Sequence, residues 1–179
     1  MSTLPLTYRD YFTPQDLEGF SPQISRLVYG LEYVRANTLF AVQGLTTAQL
    51  DTQVLPGGNT TGMLLAHFAG TESGYQQLTF QGNEHGFERP ENLLGAAGRA
   101  EFQGQSLEFY LSRLAEVREQ TPAGLRERDD DWLAHTFRPW DWTFDISPHW
   151  CWFHVAEDEL RHQGQIAILR KELERREQA

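Results

Sequence analysis

Apolar residues recur every three or four positions in four stretches of the chain, a spacing typical of amphipathic helices. The stretches cover about residues 21–43, 60–80, 105–127 and 148–176. Pro122 lies inside the third stretch and predicts a kink or an early end there. The other three begin at residue pairs that favour a helix start, namely Ser21-Pro22, Asn59-Thr60 and Ser147-Pro148. Because no stretch alternates as a strand does, the pattern predicts an all-α protein.

Two long connections, residues 81–104 and 128–146, separate these helices. Loops of this length usually line a site or cover one end of a core. The acidic run at 129–131 lacks the spaced oxygens of a calcium loop and is interpreted as a solvated turn. The expected architecture is a four-helix bundle with one or two long crossover connections, forming a single domain over residues 1–179 with its core at about 21–176.

Composition and charge narrow the class of protein. Apolar residues make up 40% of the chain, which argues against disorder, and the net charge of −10 makes nucleic acid or an anionic membrane an improbable partner. The single cysteine, Cys151, cannot form an internal disulfide and fits a reducing cytosol. The segment "MSTLPLTYRDYFTP" lacks the pattern of an export signal, and no apolar run is long enough to span a membrane. The sequence therefore predicts a soluble cytoplasmic protein.

The fourth helical stretch carries the candidate chemistry. Asp158 and His162 are four residues apart and therefore lie on one helix face, where both can reach the same ion. The best third ligand is His67, on the otherwise apolar side of the second helix. Three protein ligands leave a coordination position open, which is the pattern of a catalytic metal site.

Structural interpretations of the same residues remain open. A histidine on an apolar face is more often a buried, hydrogen-bonded core residue than a ligand, and an Asp–His pair at this spacing is more often a surface ion pair. His154 lies eight residues before His162, which rotates it by about 80° around the helix. It is interpreted as a neighbour of the site or as packing at the bundle end.

Two segments, "NTTGMLLAHFAGTE" and "DELRHQGQIAILRKEL", resemble the second and closing helices of the DinB/YfiT-like superfamily of metal-binding four-helix bundles. The resemblance extends from about residue 21 to 173 and implies an up-down-down-up bundle. It also implies that His67, Asp158 and His162 bind a divalent metal, and that a homodimer is plausible. The commonest superfamily pattern has histidine at the position of Asp158, whereas a related branch has H-x3-E-x3-H, to which "HVAEDELRH" is similar.

Two imidazoles and one carboxylate suit Zn²⁺, and also Ni²⁺, Mn²⁺ or Fe²⁺, with zinc or nickel favoured. The resemblance implies an enzyme that transfers a low-molecular-weight thiol, of the bacillithiol or mycothiol type, to a small electrophile. Arg161 and Arg170 are the candidates for binding the carboxylates of an acidic thiol cofactor, although arginines beside a helix face are more often solvated or in surface ion pairs. Glu72 and Glu157 are interpreted either as acceptors that orient the imidazoles or as residues that face water.

Two alternative functions are kept at this point. The first is a metal-dependent hydrolase with metal-bound hydroxide as the nucleophile and Glu157 or Glu72 as the base. The second is a non-catalytic, stress-related helical bundle whose metal is structural or absent.

Overall fold

The computed structural model describes residue 4 and residues 6–178, apart from the side chain of residue 177. Residues 1–3 and 5, which belong to the segment that was examined for an export signal, therefore lie outside the described residues. Within the described part the protein is all-helical, as predicted, with no strand and one isolated bridge between Phe137 and Ile146. No helix among these residues combines the length and the apolar character needed to cross a membrane. The α-helices are α1 (Pro22–Val42), α2 (Thr47–Asp51), α3 (Thr61–Gln81), α4 (Gly95–Glu101), α5 (Leu107–Arg126), α6 (Asp130–Ala134) and α7 (Pro148–Glu177).

The four long helices α1, α3, α5 and α7 lie where the apolar periodicity predicts them. Local capping explains three of their starts. The hydroxyls of Thr60, Ser106 and Ser147 accept from the backbone amides of Met63, Phe109 and Trp150. Helix α5 contains Pro122 but continues to Arg126, so the predicted early end is wrong.

The start of α1 is capped from a distant part of the chain. Asp130 accepts hydrogen bonds from the amides of Gln23, at 3.1 Å, and Ile24, at 3.4 Å, and from the hydroxyl of Ser21. Asp129 accepts from the amide of Trp132 and so caps α6. The prediction of a solvated turn at 129–131 is therefore wrong, since two of the three carboxylates hold helix starts in place.

The long helices pack side by side. Helix α3 lies against α5 and α7, and α1 lies against α7. Arg170 on α7 donates to the carbonyl of Ala41 at 2.8 Å, and Gln76 on α3 donates to the carbonyl of Val117 at 2.7 Å. Just before α3, the side-chain amide of Asn59 donates to the side-chain oxygen of Gln165 on α7 at 3.0 Å.

Two apolar clusters fill opposite halves of the interior. One includes Leu64, Leu114 and Ile166, and the other includes Val28, Leu125 and Trp152. On each long helix, buried charged residues lie between the positions that belong to the two clusters. They are Glu32, Arg35, Glu72, Arg118 and Glu159. The protein therefore has an ionic layer midway along its long helices, which separates two apolar cores.

The connection between α3 and α5 folds back over α3. A Cβ atom at Gly74 would lie 2.5 Å from the ring of Phe87, and one at Gly70 would lie 2.7 Å from Glu91. Only glycine permits this close approach of the connection to the helix. As a result α3 is buried on nearly all sides, and its side chains either pack in the core or line the seam with α7.

Candidate metal centre

Helices α3 and α7 bring three potential metal ligands together at their seam. The Nε2 atom of His67 lies 3.2 Å from Oδ2 of Asp158, and the Nε2 atom of His162 lies 3.5 Å from Oδ1. The two imidazole rings stand perpendicular at 89°, with centroids 5.4 Å apart. One ligand atom from each residue lies within 4.8 Å of the others, so the cluster could hold a single metal ion.

Helix geometry explains why two of the three residues are close, and packing between helices explains the third. Asp158 and His162 meet because they are one turn apart on α7. His67 reaches them because α3 packs against α7. The side chains of His67, Asp158 and His162 are 13%, 16% and 18% exposed, so the centre is sheltered but keeps some contact with solvent.

The charges of the three groups favour a cation. Burial raises the pKa of Asp158, but the imidazoles of His162 and His67 lower it more, and the balance leaves this pKa well below its usual range. Contact with Asp158 raises the pKa of His162, while burial acts in the opposite direction. The carboxylate is therefore anionic, as a metal ligand must be.

Unpaired polar atoms test whether the residues fit a metal. In the described part of the chain, Nδ1 of His67, Nδ1 of His162 and Oδ2 of Asp158 are buried and make no hydrogen bond. Buried polar atoms are costly without a partner, so these three atoms could accept a further ligand, as could the unpaired buried groups of Thr38, Trp152 and Gln163. Two imidazoles and one carboxylate are a donor set that fits Zn²⁺ and the neighbouring divalent metals.

The seam continues on both sides of this cluster. Towards the start of α7, the ring of His154 stacks on Trp150 at 5.2 Å and meets Tyr75 edge-on at 5.8 Å. In the other direction, one turn beyond His162, a cavity of about 290 Å³ is lined by Gln165 and Asn59 together with apolar side chains. Of the two interpretations of His154, packing at the bundle end agrees with these aromatic contacts.

The two arginines predicted to bind a thiol have their polar contacts elsewhere. Arg161 is 74% exposed and pairs with Glu157 on its own helix. Arg170 donates to the carbonyls of Ala41, at 2.8 Å, and Gln43, at 3.1 Å, and so caps the end of α1. The structure therefore does not bring them to the three clustered residues, and their role in binding a thiol stays a prediction.

The two carboxylates considered as acceptors, Glu72 and Glu157, have their described contacts away from the imidazoles of His67 and His162. Glu157 pairs with His154 at 3.1 Å and with Arg161. Glu72 is fully buried and accepts from Arg118 at 2.6 Å and from Arg35 at 2.9 Å. The contacts described for these two carboxylates thus do not include the imidazoles of His67 and His162, and the part of Glu157 or Glu72 as the base of a hydrolase stays a prediction.

The ionic layer around Glu72 escaped the sequence analysis. Arg35 also binds Glu159 at 2.9 Å, next to Asp158 in the chain, and Arg118 binds Glu32 at 3.2 Å. A signal was present, because these charged residues occupy the same helical positions as the buried apolar ones. On α1 the buried positions include Ile24, Val28, Leu31, Arg35, Thr38 and Val42, which are three or four residues apart.

Comparison with known families agrees with this all-helical fold and its histidine–aspartate cluster. The sequence profile of the family described as Mycothiol-S-transferase matches residues 26–175, so the chain belongs to that family. The family is part of the DinB/YfiT-like superfamily, as the resemblance in the two quoted segments predicts. No curated protein is similar enough to the chain to count as a match.

Proposed function

We propose that this protein is a metal-dependent S-transferase that joins a low-molecular-weight thiol of the mycothiol type to a small electrophile. The observation that carries the proposal is the convergence of His67, Asp158 and His162 within 4.8 Å at a partly open seam, in a chain of this family. The three residues are proposed as the ligands of one divalent metal. Zinc or nickel is the favoured ion, with Mn²⁺ or Fe²⁺ as alternatives.

The carboxylate and the two imidazoles are proposed to have different roles in binding the metal. A divalent cation, when bound, supplies the positive charge that lowers the pKa of a thiol and favours its thiolate form. Asp158 offsets one of the two positive charges, and the two imidazoles bind as neutral donors. The partial exposure of all three side chains leaves room for an exchangeable ligand.

The properties of Cys151 support an external thiol as the nucleophile. Its side chain is fully buried, and burial raises the pKa of the thiol to about 12. A thiol with this pKa is almost entirely protonated near neutral pH and is a poor nucleophile. The sulfur that reacts is therefore proposed to come from the cofactor, and the cavity of about 290 Å³ beyond His162 offers space for one of the two reactants.

The proposed scaffold is a single-domain, up-down-down-up four-helix bundle. Helices α1 and α7 are parallel. Gln23 near the start of α1 lines one cavity with His149 near the start of α7, and Ala41 near the end of α1 accepts a hydrogen bond from Arg170 further along α7. Helices α3 and α5 are also parallel, since Gly62 lies beside Tyr110 and Phe80 lies beside Gly124. Helices α3 and α7 are antiparallel, since Asn59 just before α3 contacts Gln165 and Tyr75 contacts Trp150. A cytosolic location stays a prediction that rests on the buried free thiol.

Metal analysis and a thiol-consumption assay test the proposal. We expect the purified protein to bind about one metal ion per chain and to consume mycothiol only when an electrophile is present. His67→Ala, Asp158→Asn and His162→Ala are each expected to lower metal affinity by at least about tenfold and to abolish turnover. Glu157→Gln is the matched control, since it removes the neighbouring carboxylate of the same helix and should leave both measurements unchanged.

Two results would contradict the proposal. Wild-type protein that binds no divalent metal, with the three variants unchanged in activity, would exclude a metal-dependent reaction. Cleavage of a substrate without added thiol would favour the hydrolase instead.

A further inference from the structure

One buried arginine on α1 makes hydrogen bonds to each of the other three long helices. The Nε and Nη2 atoms of Arg35 donate to the two oxygens of Glu159 on α7, at 2.9 and 3.0 Å. Its Nη2 atom also donates to Glu72 on α3 at 2.9 Å, and its Nη1 atom donates to the carbonyl of Leu114 on α5 at 3.1 Å. Arg35 therefore joins α1, α3, α5 and α7 at a single point in the interior.

Two of these contacts lie beside the candidate metal ligands. Glu159 is next to Asp158 on α7, and Glu72 follows His67 by five residues on α3. Successive residues of a helix point about 100° apart, so Glu159 can reach the interior from a helix whose Asp158 faces the seam. Five residues rise by about 7–8 Å along a helix, which is roughly one and a half turns. The salt bridges of Arg35 thus connect the two ligand-bearing helices close to the candidate centre.

These bonds restrict the orientation of the helices as well as their distance. A guanidinium is planar, and two parallel N–H groups on one carboxylate, as between Arg35 and Glu159, define the angle between the partners. Arg118 repeats this arrangement from α5, since its Nε and Nη2 atoms donate to the two oxygens of Glu72 at 2.6 and 3.1 Å. A shift of α3 against α7 would leave a buried charge without its partner, which is costly.

A metal centre shared by two helices requires this precision. Distances between a metal and its ligands vary by only about 0.2 Å, so the ligands must be held in place by the residues around them. His67 comes from α3, whereas Asp158 and His162 come from α7. The spacing of α3 and α7 therefore decides whether one ion can be bound by all three residues.

We propose that Arg35 is a positioning residue of the candidate metal centre, because it sets the spacing of α3 and α7 through Glu72 and Glu159. The inference rests on the proposed metal site and adds the residue that aligns its two halves. None of the contacts described for Arg35 involves a candidate ligand, so its effect on the ion passes through the geometry of the helices.

The sign of the effect separates positioning from simple electrostatics. A guanidinium repels a cation, so by charge alone the loss of Arg35 would strengthen metal binding. If Arg35 positions the ligands, its loss weakens metal binding instead. Arg35→Met removes both the charge and the salt bridges. Arg35→Lys keeps the charge but lacks the planar fork that reaches two carboxylates at once.

Titration with Zn²⁺ alone tests the proposal. We expect Arg35→Met and Arg35→Lys each to raise the zinc dissociation constant by about tenfold, the lower end of the range for groups that support metal ligands. The visible absorption of bound Co²⁺ reports the arrangement of its ligands, and its bands should change in Arg35→Lys. Circular dichroism identifies the variants that fold. Glu159→Asp keeps the charge and withdraws the carboxylate by one methylene, so it provides the same test should a variant of Arg35 not fold.

Gln76→Leu is the matched control. Gln76 is buried on α3 and donates to the carbonyl of Val117 at 2.7 Å and to Thr121 at 2.9 Å, both on α5. Its loss should lower the stability of the fold but leave zinc affinity and the Co²⁺ spectrum as in the wild type, because these bonds do not involve α7.

Three results would overturn the inference. The first is wild-type zinc affinity in Arg35→Lys, and the second is tighter zinc binding by Arg35→Met. The third is an equal loss of affinity in Gln76→Leu, which would assign the effect to stability in general. In these three cases the proposed metal site itself would stand. Wild-type protein that binds neither Zn²⁺ nor Co²⁺ would overturn the proposed function together with this inference.

Discussion

At the scale of single residues, Glu72 is a charged group held entirely inside the protein. It is fully buried and accepts hydrogen bonds from Arg118, Arg35 and Thr121. Burial raises its pKa, but the two arginines lower it more and hold it at about 2, against an ordinary value of 4.5. The ionised form of Glu72 is therefore stabilised by folding.

The ionisation of Glu72 should make the free energy of unfolding depend on pH. In the unfolded chain Glu72 binds a proton near pH 4.5, whereas in the folded protein it stays ionised down to about pH 2. Its contribution is thus fully present above pH 4.5 and is lost as the pH falls through this window. We expect Glu72→Gln to lower the free energy of unfolding by about 3 kcal/mol at pH 7, because two buried arginines lose part of their compensation.

Urea unfolding at several pH values measures this difference between wild type and Glu72→Gln. The difference should be constant from pH 7 to about 5 and shrink below pH 4.5. Glu116→Gln is the control, since Glu116 is 65% exposed in its pair with Arg113 and should contribute less than about 1 kcal/mol. A difference that stays the same at pH 3.5 and pH 7 would contradict the assignment to Glu72.

At the scale of elements, α1 depends on a cap from another part of the chain. Ser21 has the right residue type for an N-cap, but its hydroxyl donates to Asp130 and makes no cap bond to α1. The carboxylate of Asp130 takes its place and also interacts favourably with the positive end of the helix dipole. The segment before α6 therefore fixes the position of the first residues of α1.

Removal of this cap has a measurable cost. We expect Asp130→Ala to lower the free energy of unfolding by about 1–2 kcal/mol, the upper part of the range for N-caps, because two amides and a hydroxyl lose one partner. Asp131→Ala, at the next position, should cost only a few tenths of a kcal/mol. Thermal unfolding followed by circular dichroism compares the two, and equal effects would show that the cap assigned to Asp130 contributes nothing specific.

At the scale of the whole molecule, the candidate metal centre joins two distant parts of the chain. His67 belongs to α3, and Asp158 and His162 belong to α7, so the cluster exists only in the folded protein. A metal that binds the folded state alone shifts the unfolding equilibrium by mass action. Metal binding and folding are therefore expected to be linked.

Titration with zinc tests this linkage. With free Zn²⁺ at 100 times the dissociation constant, the free energy of unfolding should rise by about 2.7 kcal/mol. Asp158→Asn should remove most of this increase, whereas Glu157→Gln should retain it. An increase that is equal in wild type and Asp158→Asn would place the metal at a different site.

The sequence by itself determined the positions of the four long helices and named the three residues of the candidate site. Helix periodicity, capping hydroxyls and the one-turn spacing of Asp158 and His162 are local, and each depends on residues within a few positions of one another. The choice of His67 as their partner also came from the sequence, through its place on an apolar helix face.

Only the tertiary structure decided which distant groups meet. Arg35 and Arg118 bind Glu72 across α1, α3 and α5, and Asp130 caps a helix that begins more than a hundred residues earlier. The physical reason is that a charged residue or a glycine in a helix has the same local preference whatever lies beside it. Its role is set by packing between helices, which local preferences do not specify.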